Sequence, residues 1–298
     1  MPLRRRRAVA IALAVLAIGL FSLAASADTP STTVHFALRT PIRIALRNPA
    51  DSPAESAAAI GFEKELANDF CGRMQVRCEI VSGKGDASVA ALLAWRADML
   101  MAWLPVTQAR KQTIDFSAAY ALERHGLAVL DPGPLANLPG TGKVLSLTAT
   151  PQDAQAAIAD LRGALAGNRV GALAASADLA FLQSQFAEVR TQAYPTAEAM
   201  MQDLAAGRLD AVMGSSAWLQ AMLALSGEKP LALSGPQFAE DERFGFGIAA
   251  GFRKSDTTLR NFFDRAISEA MSDGTLERLS LKWFNTDLAP KRCFCKPF

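Results

Sequence analysis

Histidine is almost missing from this chain, with His35 and His125 the two examples in 298 residues. A nucleophile that needs a neighbouring base, or a metal centre built on imidazoles, has little to draw on. The short signatures of hydrolytic and phosphate chemistry are missing as well. There is no Gly-x-Ser-x-Gly, no His-Glu-x-x-His and no Gly-x-x-x-x-Gly-Lys-Ser/Thr, so no residue can be named as catalytic, metal-ligating or cofactor-binding. An excess of one charge is also lacking, with 31 Lys and Arg against 29 Asp and Glu. Four of those cations stand in one row, Arg4 to Arg7, and without them nothing suggests a nucleic-acid partner. What is there is 50% hydrophobic and 20% charged, a composition that excludes disorder across the chain and supplies a core. The length suits one large domain or two lobes of about 100–150 residues each.

Long apolar runs are scarce too. The run from Ala8 to Phe21 follows the arginine row and precedes Ala25-Ser26-Ala27. A basic stretch, a short apolar stretch and a small-residue site read as a secretory signal peptide cleaved after Ala27. As a membrane anchor the run falls short of the roughly 20 residues that a bilayer needs. Cleavage leaves 27 basic and 29 acidic residues. No cysteine lies near the cleavage site to mark a lipid anchor, so the expected product is a soluble periplasmic monomer. In that oxidising compartment Cys71 and Cys78, with six residues between them, can pair. Cys293 and Cys295 leave three readings open: a strained disulfide, half of a metal site without a nearby His to complete it, or two free thiols.

From Arg43 onward short apolar runs alternate with longer amphipathic stretches, the pattern of α/β structure. Arg43 to Leu46, Val76 to Val81 and Met99 to Leu104 read as strands, separated by helices over Phe62 to Cys71 and Val89 to Ala97. A second series begins with a helix opened by Thr150-Pro151. It continues with a strand at Val170 to Leu173, helices at Ala177 to Val189 and Ala197 to Ala206, a strand at Ala211 to Met213, a helix at Ala217 to Leu225 and a strand at Leu231 to Leu233. The last segment reads as a strand over Gly247 to Phe252 and helices over Asp256 to Ser272 and Leu276 to Trp283, with Gly274 placed for a left-handed cap. Loops at Asp131 to Gly142 and at Ser234-Gly-Pro bracket the second series. Met99, Met101, Met200, Met201, Met213 and Met222 fall on apolar strands and helix faces, where core packing is the plainer role than soft-metal binding.

Several segments carry a resemblance. Gly61-Phe-Glu-Lys-Glu-Leu-Ala, Phe70-Cys-Gly-Arg-Met-Gln-Val-Arg-Cys-Glu-Ile-Val, Arg96-Ala-Asp-Met and Val106-Thr-Gln-Ala-Arg-Lys-Gln-Thr-Ile-Asp-Phe-Ser are similar to the family 3 extracellular solute-binding proteins. The likeness resumes at Ala166-Gly-Asn-Arg-Val-Gly, Ala205-Ala-Gly-Arg-Leu-Asp-Ala-Val, Phe244-Gly-Phe-Gly-Ile-Ala-Ala-Gly-Phe-Arg-Lys-Ser-Asp-Thr, and Asp273-Gly-Thr through Lys282-Trp-Phe. These are periplasmic receptors of polar amino acid importers. The Cys71 to Cys78 stretch looks most like the lysine/arginine/ornithine- and histidine-binding branch, in which a disulfide closes this loop.

The resemblance implies a type II periplasmic binding fold with a ligand cleft between two lobes joined by a two-crossing hinge. Lobe 1 would take residues 28–126 and 237–286, lobe 2 residues 127–236, and a C-terminal tail residues 287–298. It also implies that Arg110, in the Thr107-x-x-Arg turn, clamps a ligand carboxylate, a role that suits the fixed fork of a guanidinium. Ser176 would support that carboxylate from the other lobe, or simply cap the helix that follows it. Hydroxyl residues normally precede the Thr-x-x-Arg turn, whereas this chain has Ala102, Trp103, Leu104 and Pro105. Trp103 would form an apolar wall. Ser215 stands where the family has an acid for the α-ammonium, Arg47 where cationic-ligand receptors have another acid, and Ala50 or a neighbour where they have a covering aromatic. These changes point away from lysine, arginine and ornithine. The function implied is delivery of a small carboxylate-bearing solute to the permease of an ABC importer. The alternatives are a non-transport periplasmic module whose altered cleft serves a protein partner, or an enzyme on the same scaffold with no acid or base identified.

Overall fold

The apolar residues Ile42, Ile44 and Ala45 are fully enclosed, and they anchor the first strand of a computed structural model that describes residues 41–47, 57–82, 88–174, 176–225, 230–241 and 243–290. The signal segment, His35, Ala50, Cys293 and Cys295 lie outside the described residues. Strand β1 (Ile42–Ala45) is followed by α1 (Ala57–Arg73), β2 (Cys78–Val81), α2 (Val89–Leu93), β3 (Met99–Leu100), α3 (Gln108–Lys111) and β4 (Asp115–Phe116). The α1 residues Phe62, Leu66, Ala67, Phe70 and Cys71 recur at helical spacing, and all are buried. They pack with Tyr120, Phe252 and Phe263 into one core cluster. The Cys71–Cys78 disulfide, with its Cα atoms 6.2 Å apart, ties the end of α1 to the start of β2.

The second series runs β5 (His125–Leu130), β6 (Val144–Ser146), α4 (Pro151–Leu165), β7 (Arg169–Leu173), α5 (Ala177–Gln185), β8 (Arg190–Tyr194), α6 (Ala197–Ala205), β9 (Ala211–Ser215), α7 (Ser216–Leu225) and β10 (Leu231–Ala239). The chain then closes with β11 (Gly251–Phe252), α8 (Thr257–Ser272) and α9 (Thr275–Phe284). Two sheets result, ordered β2-β1-β3-β11-β4 and β6-β10-β5-β9-β7-β8. Each forms the centre of one lobe. The late strand β11 inserts antiparallel between β3 and β4, so the C-terminal segment returns to the first sheet. Between β4 and β5 the chain crosses toward the second lobe, and between β10 and β11 it crosses back. The two crossings touch where Ile248 N–H donates to the Ala121 carbonyl at 2.8 Å.

Thr196 caps α6 by accepting from Ala199 N–H at 3.2 Å, and Gly274 takes a left-handed φ of 77° between α8 and α9, as their positions in the sequence suggest. Several expectations need correction. The strand over Gly247 to Phe252 is regular only at Gly251–Phe252, and the helix over Ala177 to Val189 ends at Gln185. The strand over Met99 to Leu104 is regular only at Met99–Leu100, because Trp103 adopts φ 49° and turns its N–H toward a side chain. The helix over Val89 to Ala97 stops at Leu93, with Trp95 at φ 60°. Ser234-Gly-Pro is no loop: β10 runs through it with a shift in register between Ser234 and Phe238. The strands at His125–Leu130 and Arg190–Tyr194, and the short β6, were not read from periodicity.

Candidate functional site

Trp103 is the organising side chain of the space between the lobes. Its left-handed backbone, uncommon for a bulky residue, is held by Glu63, whose Oε1 accepts from Trp103 N–H and from the Tyr120 hydroxyl, each at 2.5 Å. The indole packs against Phe62 and Phe284 at 5.9 and 5.1 Å, and its Nε1–H donates to Glu123 Oε1 at 2.9 Å. Glu63 is wholly buried. Burial pushes its pKa up, against the opposing charge of Arg47 and the two hydrogen bonds.

Around Trp103 lies a pocket of about 220 Å³. Arg47, Trp103, Glu123 and Phe284 line it from the first lobe, and Leu173, Ser215 and Trp218 from the second. Its volume is below the roughly 300–1,000 Å³ of pockets for drug-sized molecules, a scale that suits a ligand the size of an amino acid. The Ser215 hydroxyl accepts from Trp218 N–H at 3.4 Å, a contact at the start of α7.

Of the residues singled out in the sequence, Arg47, Trp103 and Ser215 meet in this pocket, whereas Thr107, Arg110 and Ser176 are not among its lining residues. Thr107 caps α3, with Oγ1 accepting from Arg110 N–H at 3.4 Å. Arg110 Nη1 donates to the Pro105 carbonyl at 2.8 Å. This guanidinium is partly buried, burial lowers its pKa, and no carboxylate among the described residues pairs with it. Ser176 caps α5 by accepting from Leu179 N–H at 3.1 Å. In the first turn of the same helix, Asp178 Oδ1 lies 2.8 Å from His125 Nδ1, so an internal carboxylate already occupies part of the positive end of that helix. Glu123 and Trp218 were missed by sequence reasoning, since neither belongs to a motif. Glu123 becomes visible only when the first crossing is placed beside β9.

Residues 43–286 match the bacterial extracellular solute-binding proteins, family 3, over most of the chain. The protein belongs to that family. Among family relatives, the octopine-binding periplasmic protein of Rhizobium meliloti is 35% identical over 249 residues, covering 77% of this chain and 84% of that protein. The histidine-binding periplasmic protein of Salmonella typhimurium is 29% identical over 269 residues, covering 88% and 94%. Solved structures share the fold. A binding protein from Silicibacter pomeroyi in complex with lysine gives a TM-score of 0.54 at 23% identity, over 84% of this chain and 99% of that one. Substrate binding domain 2 of GlnP from Lactococcus lactis, in open conformation, gives 0.61 at 17%, over 83% and 96%. As a family 3 solute-binding protein, the chain has its candidate site where its two lobes face each other, and among the described residues no helix is long and apolar enough to cross a membrane.

Proposed function

We propose that this protein is the periplasmic substrate-binding component of an ABC importer, exported by a signal peptide cleaved after Ala27, and that it binds a small carboxylate-bearing solute, an amino acid or a derivative of one. The observation that carries the ligand class is Arg110, a partly buried guanidinium whose pKa burial lowers and which no internal carboxylate neutralises. A fork of donors in that state is a ready partner for a ligand carboxylate. Relatives named for octopine and histidine, both carboxylate-bearing, support the reading. The protein acts by lobe closure and release, without changing the ligand. Trp103 supplies the apolar wall, and Thr107 holds the turn that presents Arg110.

Arg110→Ala tests it. A panel of amino acids and octopine is screened by thermal shift, because a bound ligand raises apparent stability by mass action, and the hits are measured by calorimetry. The variant should fold normally and lose about tenfold to a hundredfold in affinity, the equivalent of one charge-assisted hydrogen bond or more. Unchanged affinity in a folded variant removes Arg110 from the site.

A further inference from the structure

The two charged side chains that line the pocket are Arg47 and Glu123, and they are not equivalent. The Arg47 charge acts on Glu63, the fully buried carboxylate behind Trp103. The Glu123 charge acts on His125, which is already paired with Asp178. Glu123 Oε1 accepts from the Trp103 indole at 2.9 Å, a neutral donor, and no ion pair to it exists among the described residues. It stays partly exposed, at the pocket wall. A carboxylate with one oxygen fixed by a packed indole is pre-aimed, and its second oxygen can accept from a ligand cation.

The surroundings favour a nitrogen cation over a metal ion. Among the described residues no group of three His, Cys, Asp or Glu side chains could hold a metal. Instead two indoles line the pocket, Trp103 from one lobe and Trp218 from the other, and aromatic walls beside a carboxylate suit an organic nitrogen cation. Ser215 completes the arrangement. It pairs with His125 across β9 and β5, which sets it one strand away from Glu123, and Ser216 N–H donates to the Arg124 carbonyl at 2.6 Å to fix the two segments together. A ligand in the pocket would meet a carboxylate from the crossing strand and a hydroxyl from β9.

We propose that Glu123 is a cation subsite, holding the ammonium or guanidinium group of a ligand between the Trp103 and Trp218 indoles. The proposal rests on the carboxylate-ligand reading above and extends it: the ligand is a zwitterion, with its carboxylate on Arg110 and a nitrogen cation on Glu123. It reverses the expectation, drawn from Ser215 and Arg47, that cationic ligands are disfavoured. The negative charge that Ser215 does not carry is supplied at position 123.

The test compares wild type, Glu123→Gln, and Glu123→Gln with Ser215→Asp, using L-arginine, L-citrulline, 4-guanidinobutanoate and octopine as calorimetric probes. Glutamine keeps an oxygen acceptor for the Trp103 indole, so the wall is retained. Glu123→Gln should weaken the cationic probes by about tenfold to a hundredfold. Loss for arginine and citrulline alike assigns the subsite to the α-ammonium, and loss for arginine and 4-guanidinobutanoate with citrulline spared assigns it to the guanidinium. Aspartate at 215 can still cap α7, and it should restore part of the lost affinity by returning a carboxylate from the adjacent strand. Equal affinities in wild type and a folded Glu123→Gln overturn the cation subsite alone. If wild type binds none of the four probes, the carboxylate reading falls with it.

Discussion

His125 shows how much a single side chain can be committed to structure. It is buried, stacks on Phe244 with ring centroids 4.0 Å apart, and pairs through Nδ1 with Asp178. Burial is the strongest influence on its pKa and pulls downward. The charge and hydrogen bond of Asp178, with the more distant charges of Glu123 and Asp241, together outweigh it, and the net shift is upward from 6.5. A histidine whose pKa is higher in the folded state stabilises that state most below its unfolded value, and the contribution is lost as pH rises through the folded value. The melting temperature of the wild type should therefore fall from pH 6.5 upward more steeply than that of His125→Gln. Parallel pH profiles for the two proteins would show that the pair contributes nothing by protonation.

The same scale shows why the site was only partly legible. Arg47, Trp103 and Ser215 could be chosen by their positions in a family pattern, and all three line the pocket. Ser176 carried two readings, and its hydroxyl serves the local one, helix capping. Glu123 could not be chosen, because a lone Glu between Leu122 and Arg124 has no spacing signature. Its importance comes from the indole nitrogen that fixes it.

Among the elements, those with long apolar periods were legible and those made by side-chain bonding were not. Helices α1, α6 and α8 announce themselves by buried faces. Strand β10 conceals itself behind Gly235 and Pro236, residues that ordinarily interrupt strands. The ladder survives there because side chains replace part of it. Ser234 Oγ donates to the Leu135 carbonyl at 2.6 Å and accepts from Leu138 N–H at 3.0 Å, while Gly235 N–H donates to Thr141 Oγ1 at 2.8 Å. The Pro- and Gly-rich segment from Asp131 to Gly142 is thus strapped onto β10, and the two apparent breaks form one packed unit. Gly235 has φ 80°, and a Cβ there would lie 3.3 Å from Leu161 Cδ2. Gly235→Ala should cost about 1–2 kcal/mol from the left-handed backbone, read as a lower midpoint in urea unfolding. A midpoint equal to wild type would mean that the bulge relaxes freely.

For the whole molecule, alternating elements indicated α/β structure, whereas the two lobes and the return of the chain to the first came from the family resemblance and not from periodicity. That return depends on β11, two residues long and inserted between β3 and β4; a strand can be read over Gly247 to Phe252, but its pairing partners cannot. It decides the architecture nonetheless, since an insertion flanked by two crossings gives a pair of lobes that can close on a ligand and reopen.

The placement of the tryptophans gives this machine a built-in optical reporter. Of the four indoles in the chain, Trp95 is 54% exposed and lies under the Arg253 guanidinium, 3.8 Å from its ring centre. Trp283 packs beside the core under the first sheet. Trp103 and Trp218 face the pocket from opposite lobes, so an occupant that expels solvent from between them changes the polarity around two fluorophores at once. Titration with a bound probe should shift the emission maximum to shorter wavelength, Trp95→Phe should keep that shift, and Trp218→Phe should diminish it. An emission change that vanishes with Trp95 instead would place the ligand-linked signal on the outer surface, so spectroscopy without any attached dye can follow the receptor as it fills and empties.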